Sequence, residues 1–287
     1  MKTCRRKFFK KAGISAMAFG GVQFMNPLAS IAKSYSDEES DFEIGIASYG
    51  LRELNLDQMI DAMKELDLTK VSLKSHHLPL DSTDDEIRNV IARIKQAGLD
   101  PYACGVMYMK TETEVDRAFN YAKAAGFKII VGVPNYELLD YVEEKVKQED
   151  IIVAIHNHGP ADLPYPAPED IMSRIKDRDK RLGMCMDVAH VARLGIDPVK
   201  AIRDSADRLY DLHLRDNTYP GKEGRCARPG KGSLNLPMIM KTLMDVDYKG
   251  TYTIEYSSEK NNPVPGTAET AGYLRGIKNT LVSGVKL

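Results

Sequence analysis

The chain has 287 residues, 43% of them hydrophobic, which is enough for one sizeable core and suits a single α/β barrel better than two ordinary domains. Its 40 basic and 41 acidic residues leave a formal charge of -1 with no concentrated basic surface, so a nucleic acid is not an expected partner. No GxxxxGK[ST] occurs, and no Gly-rich fingerprint follows the first apolar run, which continues Gly45-Ile46-Ala47-Ser48-Tyr49-Gly50; nucleotide cofactors are therefore not favoured.

The first 32 residues differ from the rest. Cys4-Arg5-Arg6-Lys7-Phe8-Phe9-Lys10 is followed by a weakly apolar run from Ala12 to Phe24 that is too short for a spanning helix. Paired arginines, two phenylalanines and a following lysine are the layout of a twin-arginine export signal, so residues 1–32 are expected to direct export to the periplasm and to lie outside the fold. Residues 33–41 read as a polar linker, and no stable membrane partner is expected. The twin-arginine route delivers folded proteins to a compartment without ATP, which argues against a phosphorylated sugar as substrate. Cys4 leaves with the signal; Cys104, Cys185 and Cys226 form an odd set without CxxC spacing, and no disulfide framework is expected.

From residue 42 onward, short β-rich apolar runs alternate with longer amphipathic helical patterns, the sequence form of repeated βα units. Strands are predicted at Phe42–Ala47, Lys70–Lys74, Pro101–Met107, Lys128–Val133, Ile151–His156, Leu182–Asp187, Leu209–Leu214 and Thr251–Glu255. Helices follow, for example at Thr83–Ala97, with Ile87, Val90, Ile91 and Ile94 on one face, and at Glu112–Ala125. Eight such units over 42–287 predict a single-domain (β/α)8 TIM barrel.

Active sites of such barrels lie at the C-terminal strand ends. Here strand five ends in His156-Asn157-His158, strand six in Asp187-Val188-Ala189-His190, strand seven in His213-Leu214-Arg215, and strand eight in Glu255. A lone histidine at a strand end is usually structural, but four of them on consecutive strand ends beside two carboxylates point to a divalent metal ion (Mn, Co, Zn or Mg), since imidazole and carboxylate donors suit these ions. On strand two, Lys74 is a candidate proton-transfer group and His76 a candidate substrate contact; Tyr49, after strand one, could stack on a ring. Arg228 and Lys231, in a Gly-rich loop, are weaker candidates for substrate contact.

The stretches Ile155-His156-Asn157-His158-Gly159, Met184-Cys185-Met186-Asp187-Val188-Ala189-His190, Leu212-His213-Leu214-Arg215-Asp216, Arg228-Pro229-Gly230-Lys231-Gly232 and Tyr252-Thr253-Ile254-Glu255 together resemble the xylose isomerase-like, sugar isomerase/epimerase superfamily of TIM barrels. The resemblance implies metal ligation by Asp187, His213 and Glu255, and substrate contacts from His190 and Arg215, with His158 a further candidate. It also implies a fourth ligand at the end of strand five, typically a glutamate, where this chain has His156. In the epimerases two metal-bound glutamates exchange a proton on either face of an enediolate; with His156 here that symmetric device is absent, so Glu255, Lys74 and His156 are the candidates for proton transfer. The expected activity is metal-dependent isomerisation or epimerisation of a small non-phosphorylated sugar, with β-elimination of a 3-keto-glycoside as the alternative and a non-catalytic sugar-binding barrel as a further one. A homo-oligomer is compatible with all three.

Overall fold

In the computed structural model the described residues are 42–160, 163–256 and 262–284. The export-signal and linker expectations, on residues 1–41, fall outside them. Among the described residues there are ten strands: β1 Ile44–Ala47, β2 Lys70–Leu73, β3 Asp100–Met109, β4 Ile129–Pro134, β5 Ile152–His156, β6 Leu182–Asp187, β7 Leu209–Leu214, β8 Asp216–Asn217, β9 Cys226–Ala227 and β10 Tyr252–Ile254. Eight of them close into a barrel in the order β1-β10-β7-β6-β5-β4-β3-β2, every pair parallel, while β8 and β9 form a small antiparallel pair. The predicted single-domain (β/α)8 barrel is the observed fold. β3 extends to Met109, two residues beyond its predicted end.

The helices between strands form for local reasons. Asp84–Gln96 is capped by Thr83, whose hydroxyl accepts the Glu86 amide while the Glu86 carboxylate accepts the Thr83 amide at 2.7 Å, and its buried stripe is Ile87, Ile91 and Ile94. Glu112–Ala125 starts at Thr111 and stops at Gly126 in the left-handed region. Arg275, on the last helix Pro263–Val282, donates to the Leu66 carbonyl at 2.6 Å and ties the end of the fold to its first βα unit.

The core is the barrel interior together with the strand–helix layer. At the far side of the barrel from the active face, buried Arg208 donates to the carbonyls of Lys176, Arg178, Asp179 and Leu182, which satisfies its guanidinium without a carboxylate. Among the described residues Cys104, Cys185 and Cys226 are free thiols, the first two buried. Among the described residues no helix is long and apolar enough to cross a membrane.

Candidate metal centre and active-site cavity

The strand register brings the four candidate ligands together. Asp187 at the end of β6 lies directly opposite His213 in β7, His156 ends β5, and Glu255 follows β10, its amide donating to Leu214 at 3.3 Å. All four are buried, and one ligand atom from each lies within 4.8 Å of the others. His156 Nε2 and His213 Nδ1 stand 2.9 Å apart, and His213 Nδ1 is 2.9 Å from Glu255 Oε2. His156 Nδ1 and His213 Nε2 have no hydrogen-bond partner although buried. Two imidazole nitrogens and a carboxylate oxygen that face one another in a buried cluster, with the Asp187 carboxylate beside them, are a donor set that fits a bound divalent ion. Cys185 also lies near His156 and His213, but burial pushes its thiol pKa well up, so it stays protonated and is a poor donor.

The electrostatics favour this donor set. Burial holds His156 well below the usual imidazole range, helped by the neighbouring His158 and His213, so the ring is neutral and able to ligate. Burial alone would raise Glu255, but His213, Lys74 and Arg215 outweigh it and keep the carboxyl well below its ordinary value. Asp187 is likewise ionised: against burial, His190 and Arg215 hold it down. Its two oxygens have separate duties, since Oδ1 accepts the amides of Ala189 and His190 at 2.9 Å, capping the helix Val188–Arg193, while Oδ2 receives Arg215 Nη1 at 3.1 Å. Asn157 braces the same strand end, accepting the Asp187 amide at 2.9 Å and donating to its carbonyl at 3.3 Å.

Above the cluster opens a cavity of about 360 Å³, lined by Tyr49, Lys74, Ser75, His76, Gly105, Val106, His156, His158, His190, Arg215 and Glu255. The sequence candidates His156, Asp187, His213 and Glu255 thus form the cluster, and Tyr49, Lys74, His76, His158, His190 and Arg215 lie on the cavity wall. Lys74 is 4% exposed and its ammonium has no hydrogen-bond partner, so it is an inward-facing group and not a solvent-facing strand cap. His190 sits with its Nε2 3.4 Å from Arg215 Nη1, and burial lowers its pKa. Arg228 and Lys231 do not line the cavity; both ion-pair with Glu269 on the last helix, the Lys231 contact at 2.9 Å. Their loop is held instead by Asp216, whose buried carboxylate accepts the amides of Asn217, Gly230, Gly232 and Leu234.

Some of the wall was missed in the sequence: Ser75, Gly105 and Val106, and Tyr108 behind His158. Gly105 carries a readable signal, since glycine inside a strand marks a bulge or a close backbone approach. The register of β3 against β4 does shift between Gly105 and Met107, Gly105 has φ +119°, and a Cβ there would lie 2.0 Å from the Val131 carbonyl oxygen.

Comparison with known proteins agrees with this architecture. The model of the xylose isomerase-like TIM barrel family matches residues 10–277. An uncharacterised protein of Parabacteroides distasonis is similar in structure at 25% identity with a TM-score of 0.65, covering 83% of this chain and 99% of its own. The 3-keto-D-glucoside 4-epimerase of E. coli shares the fold at 17% identity and a TM-score of 0.68, over 82% of this chain and 99% of that one. A rhizopine catabolism protein of Rhizobium meliloti is 23% identical over 161 residues, 50% of this chain and 48% of that protein, so the chain spans about half the length of this curated relative. The chain belongs to the xylose isomerase-like TIM barrel family.

Proposed function

We propose that the protein is a divalent-metal-dependent enzyme of the isomerase/epimerase type, which removes a proton next to the carbonyl of a non-phosphorylated sugar after export to the periplasm. The observation that carries this is the convergence of His156, Asp187, His213 and Glu255 within 4.8 Å at the floor of a cavity whose wall holds the unpartnered ammonium of Lys74. These four residues would hold the ion. When bound, it supplies positive charge that polarises a carbonyl and acidifies the adjacent C–H.

The chain's own groups account for the rest. The Glu255 carboxylate, kept ionised by His213, Lys74 and Arg215, is competent to accept a carbon-bound proton. Arg215 is 3.1 Å from Asp187 and 3.7 Å from Glu255, so its guanidinium holds both carboxylates in place and presents its remaining N–H groups to substrate oxygen. Lys74 stands ready to donate to oxygen on another side of the cavity, and the imidazoles of His158 and His190 offer hydrogen bonds that orient hydroxyls.

A specific feature favours a second reading. Among the described residues Glu255 is the sole carboxylate on the cavity wall, and no second one faces it as a two-base epimerase requires. A carboxylate paired with an ammonium suits β-elimination from a 3-keto-glycoside: Glu255 removes the proton next to the carbonyl and Lys74 protonates the departing glycosidic oxygen.

The test is metal content by mass spectrometry for the wild type and His213→Ala, followed by NMR in D2O with free ketohexoses and 3-keto-glucosides. Expected are a near-stoichiometric ion that the variant loses, and deuterium incorporation beside the carbonyl that Glu255→Gln abolishes. Release of an aglycone selects the lyase reading. An ion-free protein after reconstitution, binding sugar without exchange, would establish a non-catalytic sugar-binding barrel instead.

A further inference from the structure

Outside the α-helices, the large hydrophobic side chains exposed among the described residues are Tyr49, Tyr108, Tyr136, Leu163 and Tyr219. Each follows or ends a strand on the cavity side of the barrel. Of these, Tyr49 lines the cavity and Tyr108 stands outside it against a residue of its wall. Tyr49 is part of its wall and meets His76, also on the wall, edge to face at 5.6 Å. Tyr108 is 43% exposed and stacks on His158 at 5.7 Å and 19°, extending the His158 wall outward.

The mouth is therefore divided. The polar groups His156, His190, Arg215 and Glu255 come from the β5, β6, β7 and β10 ends, whereas the rings of Tyr49, His76 and Tyr108, with Lys74 among them, come from the β1, β2 and β3 ends on the other arc of the barrel. A single sugar ring chelated at the charged floor has no need of aromatic surface beyond it. Exposed aromatic rings beside a polar cleft offer flat apolar area that a second ring covers by stacking, or by resting the C–H face of a sugar on them.

We infer that the Tyr49–Tyr108 arc is a subsite for the ring beyond the glycosidic oxygen, and that the substrate is a glycoside with a flat or cyclic aglycone and not a free monosaccharide. This rests on the proposed function only in placing the carbonyl-bearing sugar over His156, Asp187, His213 and Glu255. The aglycone then projects toward the β1–β3 side, where Tyr108 loses solvent contact and the Tyr49 ring, backed by Arg52 at 4.4 Å, stays in position.

Calorimetric titration of the metal-loaded protein with phenyl β-D-glucopyranoside and methyl β-D-glucopyranoside tests the subsite. The phenyl glucoside is expected to bind about tenfold tighter than the methyl one, in keeping with the stacking energy of one aromatic pair. Tyr108→Ala should remove most of that preference with the methyl glucoside unaffected, and Tyr108→Phe should keep it, with unchanged melting temperature showing that the variants fold. Equal affinity for the two glucosides, no measurable binding of either, or a preference that survives in Tyr49→Ala/Tyr108→Ala overturns the inference. Deuterium exchange on a free ketohexose bypasses the subsite, so exchange without a phenyl preference sinks this inference alone, and a phenyl preference without exchange sinks only the proposed chemistry.

Discussion

Ser48 Oγ and His77 Nδ1 lie 3.0 Å apart and lock the tautomer of a histidine that supports the site without touching it. His77 Nε2 is 3.1 Å from the Leu54 carbonyl, which only accepts, so Nε2 carries the hydrogen and Nδ1 accepts from the Ser48 hydroxyl. Ser48 Oγ in turn accepts the Lys74 amide at 2.9 Å. The chain Lys74–Ser48–His77–Leu54 joins the loop after β1 to the loop after β2 and sets the backbone from which the Lys74 side chain enters the cavity.

This relay predicts an acid limb in stability. Burial lowers the His77 pKa below its ordinary 6.5. The unfolded chain then takes up a proton that the folded state refuses, so stability is complete above about pH 6.5 and declines as pH falls from there toward the folded value. Thermal melts of His77→Gln should lose this part of the decline between pH 7 and 5, and an identical pH profile in both proteins would show that His77 does not titrate in this way. Ser48→Ala strands a buried amide and a buried imidazole nitrogen, and it should cost about 1–3 kcal/mol in chemical denaturation.

Asp187 separates folding from ligation because its two oxygens do different work. Asn retains the oxygen that caps Val188–Arg193 but removes the charge facing Arg215 and the proposed ion, whereas Ala removes both. Both variants should lose the metal. Asp187→Ala should melt lower than Asp187→Asn by roughly 2–4 °C, the worth of an N-cap of about 1 kcal/mol in a domain of this size. Equal melting temperatures would show that the Oδ1 hydrogen bonds contribute nothing.

Much of this site was legible because an apolar run that ends in a polar residue fixes both a strand and the strand end where chemistry sits. His156, Asp187, His213 and Glu255 each close such a run, and consecutive strands of a closed barrel are neighbours in space, so their convergence followed from their order along the chain. Burial was less legible. Nothing about Lys74 at a strand end reveals that its ammonium turns inward, since one residue of register decides between cavity and solvent. Tyr108 was hidden for a different reason: β3 runs past its predicted end to Met109, across a register shift that no hydrophobic pattern marks. The two-residue strands β8 and β9 are too short to carry any periodicity and depend on the Asp216 carboxylate and its four amides.

That register shift is itself testable. Gly105→Ala places a Cβ against the Val131 carbonyl at a φ of +119° that side-chain-bearing residues rarely adopt. Left-handed strain alone costs on the order of 1–3 kcal/mol, and the contact adds to it, so the variant should melt lower by on the order of 5 °C or more. Because Gly105 and Val106 line the cavity, sugar affinity should weaken in the same variant; a wild-type melting temperature would mean that β3 accommodates the methyl group by moving.

Lys74 gives the sharpest division between a structural role and a chemical one. A buried ammonium without a hydrogen-bond partner is expensive to keep, so a lysine retained only for packing would be better replaced by an apolar chain of similar length. Lys74→Met should accordingly fold with an equal or higher melting temperature. If the amine transfers a proton, the same variant should lose turnover by about 10²–10⁴-fold, the usual worth of a general acid or base, while retaining its metal. The two readouts must move in opposite directions: a stabilised protein with full activity would make Lys74 a tolerated charge without a chemical role, and a destabilised one would show that its charge holds Glu255 and the floor of the cavity together.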